Sequence, residues 1–140
     1  MDRITRAQRS VVMSRIKSGD TLPERTLRSA LHRAGLRFRL HAKLPGRPDI
    51  VLPKHRVAIF VHGCFWHQHM KCRDGRTPTS NQQYWVPKFR RIAKRDRNAV
   101  KNLRKLGWRV VICWECEIRE RPKAIMSTIY SRIRFSQSGS

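Results

Sequence analysis

Apolar residues recur along the chain in two rhythms, and the alternation of those rhythms predicts an order of elements. Leu27, Ala30, Leu31 and Ala34 fall at helical steps of three and four. Ahead of them, Thr21-Leu22-Pro23-Glu24 supplies a helix start: Thr as N-cap, Pro inside the first turn, Glu at the capping-box position. Gly35 ends that helix. Arg37 to His41 alternates as a strand with Phe38 and Leu40 inward. The turn cluster Leu44-Pro45-Gly46-Arg47-Pro48 runs straight into Asp49-Ile50-Val51-Leu52. After a break at Pro53-Lys54-His55-Arg56 comes Val57-Ala58-Ile59-Phe60-Val61, whose unbroken apolar character predicts burial on both faces of a sheet.

From His62 to Ser80 neither rhythm holds, yet the segment is dense in His, Cys and aromatic residues. A patternless stretch of this length is usually functional or held by a ligand. Trp85, Phe89, Ile92, Asp96, Ala99, Leu103 and Leu106 then repeat at steps of three and four, which predicts a helix over 85–106 with Asp96 on its core-facing stripe. Gly107 caps it, Trp108 to Trp114 reads as a strand, and Pro122 opens a last helix carrying Ile125, Ile129 and Ile133. Helix, three strands, rich loop, helix, strand, helix is the order of a mixed α/β sandwich with helices on a small sheet. Residues 1–20 form a basic N-terminal arm or marginal helix (Val12, Ile16), 21–135 the folded domain, and 136–140 a flexible tail.

Charge narrows the function. The 140 residues carry 32 Lys+Arg against 9 Asp+Glu, a formal net charge of +23. On a chain with 39% hydrophobic residues, enough for a core, such an excess points to a polyanionic partner, most simply nucleic acid. No apolar run is longer than that from Val57 to Val61, far short of the ~20 residues that span a bilayer. The start lacks the apolar region of a secretory signal. These features lead us to expect a cytoplasmic protein with no membrane partner. With no coiled-coil seam in view, a monomer is the default.

The chemistry-bearing residues are few. Cys64, His69, Cys72 and Cys116 offer a zinc set that would tie the irregular loop to the end of the last strand, the alternative being separate buried thiols. Cys113, mid-strand among apolar neighbours, reads as a small core residue. Asp49 heads a strand amid cations, where it is either a turn residue or an oxygen ligand for a divalent ion. Glu24 is explained by the capping box. Asp96 is not, since a carboxylate on a core stripe needs a partner, and a histidine across the interior suits it. His67 and His69 alternate on the loop, so one can ligate metal while the other accepts a proton from water, and His62 follows the apolar strand within reach of a phosphate. Phe65, Trp66 and Trp85 are either core rings or wedges for insertion between base pairs.

Several strings are more specific. Arg9-Ser10 with Met13-Ser14, Asp20-Thr21 with Glu24, Leu44-Pro45-Gly46-Arg47-Pro48-Asp49, Phe60-Val61-His62-Gly63-Cys64-Phe65-Trp66-His67, and Gly107-Trp108-Arg109-Val110 with Trp114-Glu115-Cys116 resemble the very short patch repair DNA mismatch endonucleases. The resemblance runs from about Arg9 to Glu117. It implies a restriction-endonuclease-like core, a variant of the PD-(D/E)XK fold, with a small mixed sheet flanked by helices and a structural zinc site. Phe60 and His62 stand where that signature usually has its Glu-x-Lys half.

The implied activity is Mg²⁺-dependent nicking of double-stranded DNA on the 5′ side of the thymine in a T·G mismatch, such as 5-methylcytosine deamination leaves. By the same resemblance, Asp49 and the backbone carbonyl of Val61 would hold Mg²⁺, His67 would be the general base, and Asp96 would pair with it. His62 would contact the phosphate or the ion's water shell, with Glu24 in the outer layer of the site. Cys64, His69, Cys72 and Cys116 would hold Zn²⁺, and Phe65, Trp66 and Trp85 would wedge into DNA. Two rivals stand beside this: a non-catalytic zinc-stapled nucleic-acid-binding module, and a nuclease of the same fold with a different lesion specificity.

Overall fold

A computed structural model of the chain describes residues 21–69, 75 and 78–138. The expected basic arm (1–20) and the fourth expected zinc ligand, Cys72, lie outside the described residues. Thr21 caps α1 (Leu22–Arg33), its Oγ1 accepting the Glu24 N–H at 3.4 Å. Gly35 follows with φ +76°, the left-handed conformation that ends a helix at no steric cost. Strands β1 (Arg39–Leu40), β2 (Ile50–Leu52) and β3 (Val57–His62) form an antiparallel meander, with a single 3₁₀ turn at Pro53–His55. A loop leads to α2 (Gln82–Lys105), then β4 (Arg109–Trp114), a short α3 (Glu115–Glu120) and α4 (Pro122–Ser138). The sheet order is β1-β2-β3-β4, and β4 runs parallel to β3 from Val57↔Arg109 to His62↔Trp114. The mixed sheet with flanking helices is as the sequence predicts.

Burial on both faces of β3 follows from its composition. Val57 and Ile59 pack with Leu27 and Leu31 of α1 and with Ile125, Ile129 and Ile133 of α4. Ala58 and Phe60 face the other way, onto Ala99 and Leu103 of α2. The apolar stripe of α2 is thus the cover of the second sheet face, and Asp96 lies along that stripe, half-buried.

Four local expectations are corrected. Leu40 points outward, because β1 is a two-residue edge strand rather than a covered one. Leu106, placed on the core stripe by periodicity, is exposed where α2 ends. The helix α3 was not anticipated: six residues leave too little periodicity to register. The last helix runs on to Ser138, past the expected domain end at 135.

Ile59, fully buried at the centre of the sheet, tests this core. Ile59→Ala should lower unfolding free energy by about 2–5 kcal/mol in a denaturant titration.

Candidate active site and metal centre

Strand parity assembles the site. In β3, Ala58 and Phe60 face α2, so His62, two residues on, shares that face. In β4 the inward residues of the opposite face are Val111 and Cys113, which leaves Trp114 on the α2 side beside its register partner His62. In β2, Val51 faces α2, and so does Asp49 immediately before the strand. Asp49, His62 and Trp114 therefore stand at one end of one sheet face, the end where the parallel strands β3 and β4 finish. Crevices beyond the carboxyl ends of strands are where open α/β sheets bind ligands.

Asp49 reaches across the strand end. Its Oδ2 accepts the Val61 N–H at 2.7 Å, completing the ladder where β2 no longer pairs with β3. A strand residue's N–H and C=O face the same neighbour, so the Val61 carbonyl is turned to the same edge as this carboxylate. Burial pushes the Asp49 carboxyl up from 3.8 to about 6, against the Val61 hydrogen bond, and the nearby charge of Glu24 pushes it the same way. His41 and His67 partly offset this, which places Glu24, His41 and His67 within electrostatic reach of Asp49. Two carboxylates and a carbonyl edge are hard oxygen donors of the kind Mg²⁺ takes, so the residues present fit such an ion.

His67 is held from the far side. Its Nδ1 meets Asp96 Oδ2 at 2.5 Å, the partnership the stripe position of Asp96 calls for. The carboxylate fixes the tautomer and leaves Nε2 as the basic nitrogen. The His62 ring stacks on His67, centroids 3.7 Å apart and 5° from parallel. Burial, and next the neighbouring His67, push His62 down from 6.5 to about 4, so it is neutral at pH 7.

The loop that carries His67 is wound tightly rather than loosely. His67 N–H donates to Gly63 O at 3.1 Å, Gln68 N–H to Phe65 O at 3.3 Å, and His69 N–H to Cys64 O at 3.0 Å. Gln68 adopts φ +50° between the two histidines and turns them apart. His67 faces Asp96, whereas His69 Nδ1 lies 3.7 Å from Cys64 Sγ and 3.4 Å from Cys116 Sγ, all three residues buried. Ligands at Zn–S and Zn–N bond lengths around a tetrahedron sit about 3.5 Å apart, so this trio fits a zinc ion. Cys113 is buried apart from them in the sheet core, its thiol pushed up to about 12 chiefly by burial.

Comparison with known proteins agrees with this architecture. Residues 1–73 match the family model for DNA mismatch endonuclease Vsr. The chain is 47% identical to the type II nicking enzyme V.XorIIP of Xanthomonas oryzae pv. oryzae, over 85% of this chain and 88% of that protein. It is 42% identical to the DNA mismatch endonuclease Vsr of Escherichia coli K12, over 91% and 82% of the two chains. The chain belongs to the Vsr family. Its fold is shared with the catalytic domain of the homing endonuclease I-Bth0305I, at a TM-score of 0.56 and 19% identity, over 84% of this chain and 98% of that one.

In this member of the Vsr family two of the three expected DNA wedges, Trp66 and Trp85, are buried, and Phe65 is half-buried. Trp66 and Trp85 are 7% and 3% exposed and pack with Phe89, while Phe65, half-buried, meets all three rings edge-on at 5.3–5.4 Å. In the free protein they form a third small core, because packing on one another removes more apolar surface from water than separate display would.

Sequence reasoning passed over three further residues. Glu115 Oε1 accepts the Cys64 N–H at 3.3 Å, Glu117 Oε1 lies 3.8 Å from His69 Nε2, and Trp114 stacks on His69. The signal was in the charge: with nine acidic residues in the chain, five (Glu24, Asp49, Asp96, Glu115, Glu117) gather here. Among the described residues, no helix is long and apolar enough to cross a membrane.

The raised Asp49 carboxyl sets a sign for stability. An acid whose folded pKa is about 6 and whose ordinary value is 3.8 costs the fold nothing below pH 4 and its full penalty above pH 6. Without added divalent cation, Asp49→Asn should therefore be more stable than the parent at pH 7.5, by about 1–3 kcal/mol. That advantage should vanish near pH 4 in parallel thermal melts.

Proposed function

We propose that the protein nicks double-stranded DNA 5′ to the thymine of a T·G mismatch by Mg²⁺-dependent phosphodiester hydrolysis. The observation that carries this reading is the His67–Asp96 pair standing beside Asp49 at the carboxyl end of β3. A general base with its tautomer fixed, next to a carboxylate that can hold a cation, is what phosphate hydrolysis requires and what a binding module has no use for. Membership of the Vsr family supports the mismatch substrate.

In this mechanism Asp49 and the Val61 carbonyl would hold the divalent ion, with Glu24 behind them. When bound, the ion supplies charge neutralisation at the phosphate and at the departing 3′ oxygen. His67 takes a proton from the attacking water at Nε2 as the water oxygen bonds to phosphorus and the bond to the 3′ oxygen breaks. Asp96 stabilises the imidazolium that results. His62, neutral and stacked on His67, is placed to hydrogen-bond the phosphate without adding charge. Cys64, His69 and Cys116, with Cys72 as the expected fourth ligand, would hold Zn²⁺, which would anchor the loop that presents His67. Phe65, Trp66 and Trp85 enter the duplex beside the mismatch, and because the free protein buries two of them, insertion requires their cluster to open onto DNA. Unstacking at a T·G wobble costs less than at a Watson–Crick pair, which favours opening at the lesion.

A gel assay on T·G, matched and other mismatched duplexes tests this directly. Nicking should appear with T·G and Mg²⁺ and fail without Mg²⁺. Equal cleavage of every duplex would leave the nuclease and remove the specificity. Asp49→Ala should abolish nicking while mismatch binding stays within about twofold, since loss of an anion near phosphate does not weaken association. A normal nicking rate for that variant would remove the assignment of Asp49.

Metal analysis of the protein purified without chelator should return one zinc per chain, and none would refute the staple. Cys116→Ser should lower the content sharply.

A further inference from the structure

Trp114 is used by neither the cation edge nor the base pair, yet it touches both halves of the site. The indole ring stacks on His69 with centroids 4.2 Å apart and 9° from parallel. It meets His62 edge-to-face at 5.2 Å and 75°, and His67 at 6.4 Å and 71°. His69 is the imidazole lying against Cys64 and Cys116, and His62 and His67 are the stacked pair. Parallel register fixes the position, since Trp114 is opposite His62 and is followed directly by Glu115 and Cys116. A ring wedged between a metal-facing histidine and a stacked imidazole pair restricts rotation of all three. Offset and edge-on aromatic contacts of this kind are worth about 0.5–1.5 kcal/mol each beyond the area they bury.

The geometry points to Trp114 as a positioning residue that couples the Cys64–His69–Cys116 metal centre to the orientation of His67. This rests on the function proposed above for its catalytic half. Without the indole, His69 would lose one wall, and the His62–His67 stack would lose the perpendicular ring that stops it tilting from Asp96. Misplacement of a reacting group by ~1 Å is enough to cost about 100-fold in rate.

The test uses the full-length, metal-loaded protein and three variants. Trp114→Ala removes the ring. Trp114→Leu keeps apolar volume without a plane to stack and serves where the alanine variant fails to fold. Trp114→Phe keeps a plane.

Three readouts are expected to move together in the alanine and leucine variants. Zinc content at the outset stays at that of the parent, while transfer to a chromogenic chelator is faster by about tenfold. Diethyl pyrocarbonate acylates His67, read by mass spectrometry, severalfold faster. The single-turnover nicking rate falls by about 10–100-fold with duplex binding within about twofold. Trp114→Phe should stay within about threefold of the parent on all three, since it keeps the stacking plane.

Unchanged chelator transfer and unchanged His67 acylation in the alanine and leucine variants would overturn the coupling. A phenylalanine variant as impaired as the alanine one would overturn it as well. Failure of the parent to nick any duplex would instead refute the proposed function, and the coupling would then stand or fall on chelator transfer and acylation, neither of which needs catalysis.

Discussion

Because both faces of β3 are buried, Val57 and Ile59 have to point toward α1 and α4 while Ala58 and Phe60 point toward α2, and a slip of one residue would exchange the two sets. That pleat governs everything at the strand's carboxyl end. It sends His62 to the α2 side, where Asp96 and the loop histidine His67 meet. It also turns the Val61 backbone toward the edge that Asp49 occupies. The core therefore does more than hold the molecule together. Its packing parity decides which groups share a crevice, and hydrophobic burial on the scale of a whole sheet enforces that parity against the cost of gathering carboxylates and imidazoles in one place.

That cost is visible in the protonation of the site. Burial drives Asp49 upward and His62 downward, so each group's environment favours its neutral form. A chain of net charge +23 could have neutralised a lone carboxylate with any of its 32 cations. Instead Asp49 stands near Glu24, a second acid, with His41 and His67 offsetting part of its shift. On the proposed reading a divalent ion would balance the acid pair.

The loop after β3 solves a separate problem. Its rings Phe65 and Trp66 pack on α2, and on the proposed reading the rest of the winding has to hold His67 in place. Three devices do this. Successive turn hydrogen bonds wind residues 63–69, Gln68 in the left-handed region separates His67 from His69, and Cys64, His69 and Cys116 pin the winding to the start of α3. Glu115 adds a hydrogen bond to the Cys64 amide. Trp114 lies between His69, on which it stacks, and His67. The buried aromatic cluster of Trp66, Trp85 and Phe89 lies on the same loop and helix, so it shares one framework with the residues proposed for chemistry.

Much of this was legible before any coordinates. The cap at Thr21, the doubly buried β3, the stripe of α2 and the pairing need of Asp96 follow from local rules of capping, periodicity and desolvation, which act over a few residues and leave marks a few residues long. Where a mark was too short, as in α3, or where an edge went uncovered, as at Leu40, the local reading failed. The fate of Trp66 and Trp85 was not legible either, since an aromatic at the end of an element looks the same whether it packs or protrudes. Distance was the province of the tertiary structure alone. That His67 reaches Asp96 across 29 positions, that Cys116 comes to His69 across 47, and that Trp114 bridges the two are consequences of parallel pairing between β3 and β4. Sequence carries the residue types such pairing needs, but only the folded sheet, by choosing a register that buries both faces of one strand, says which of them touch.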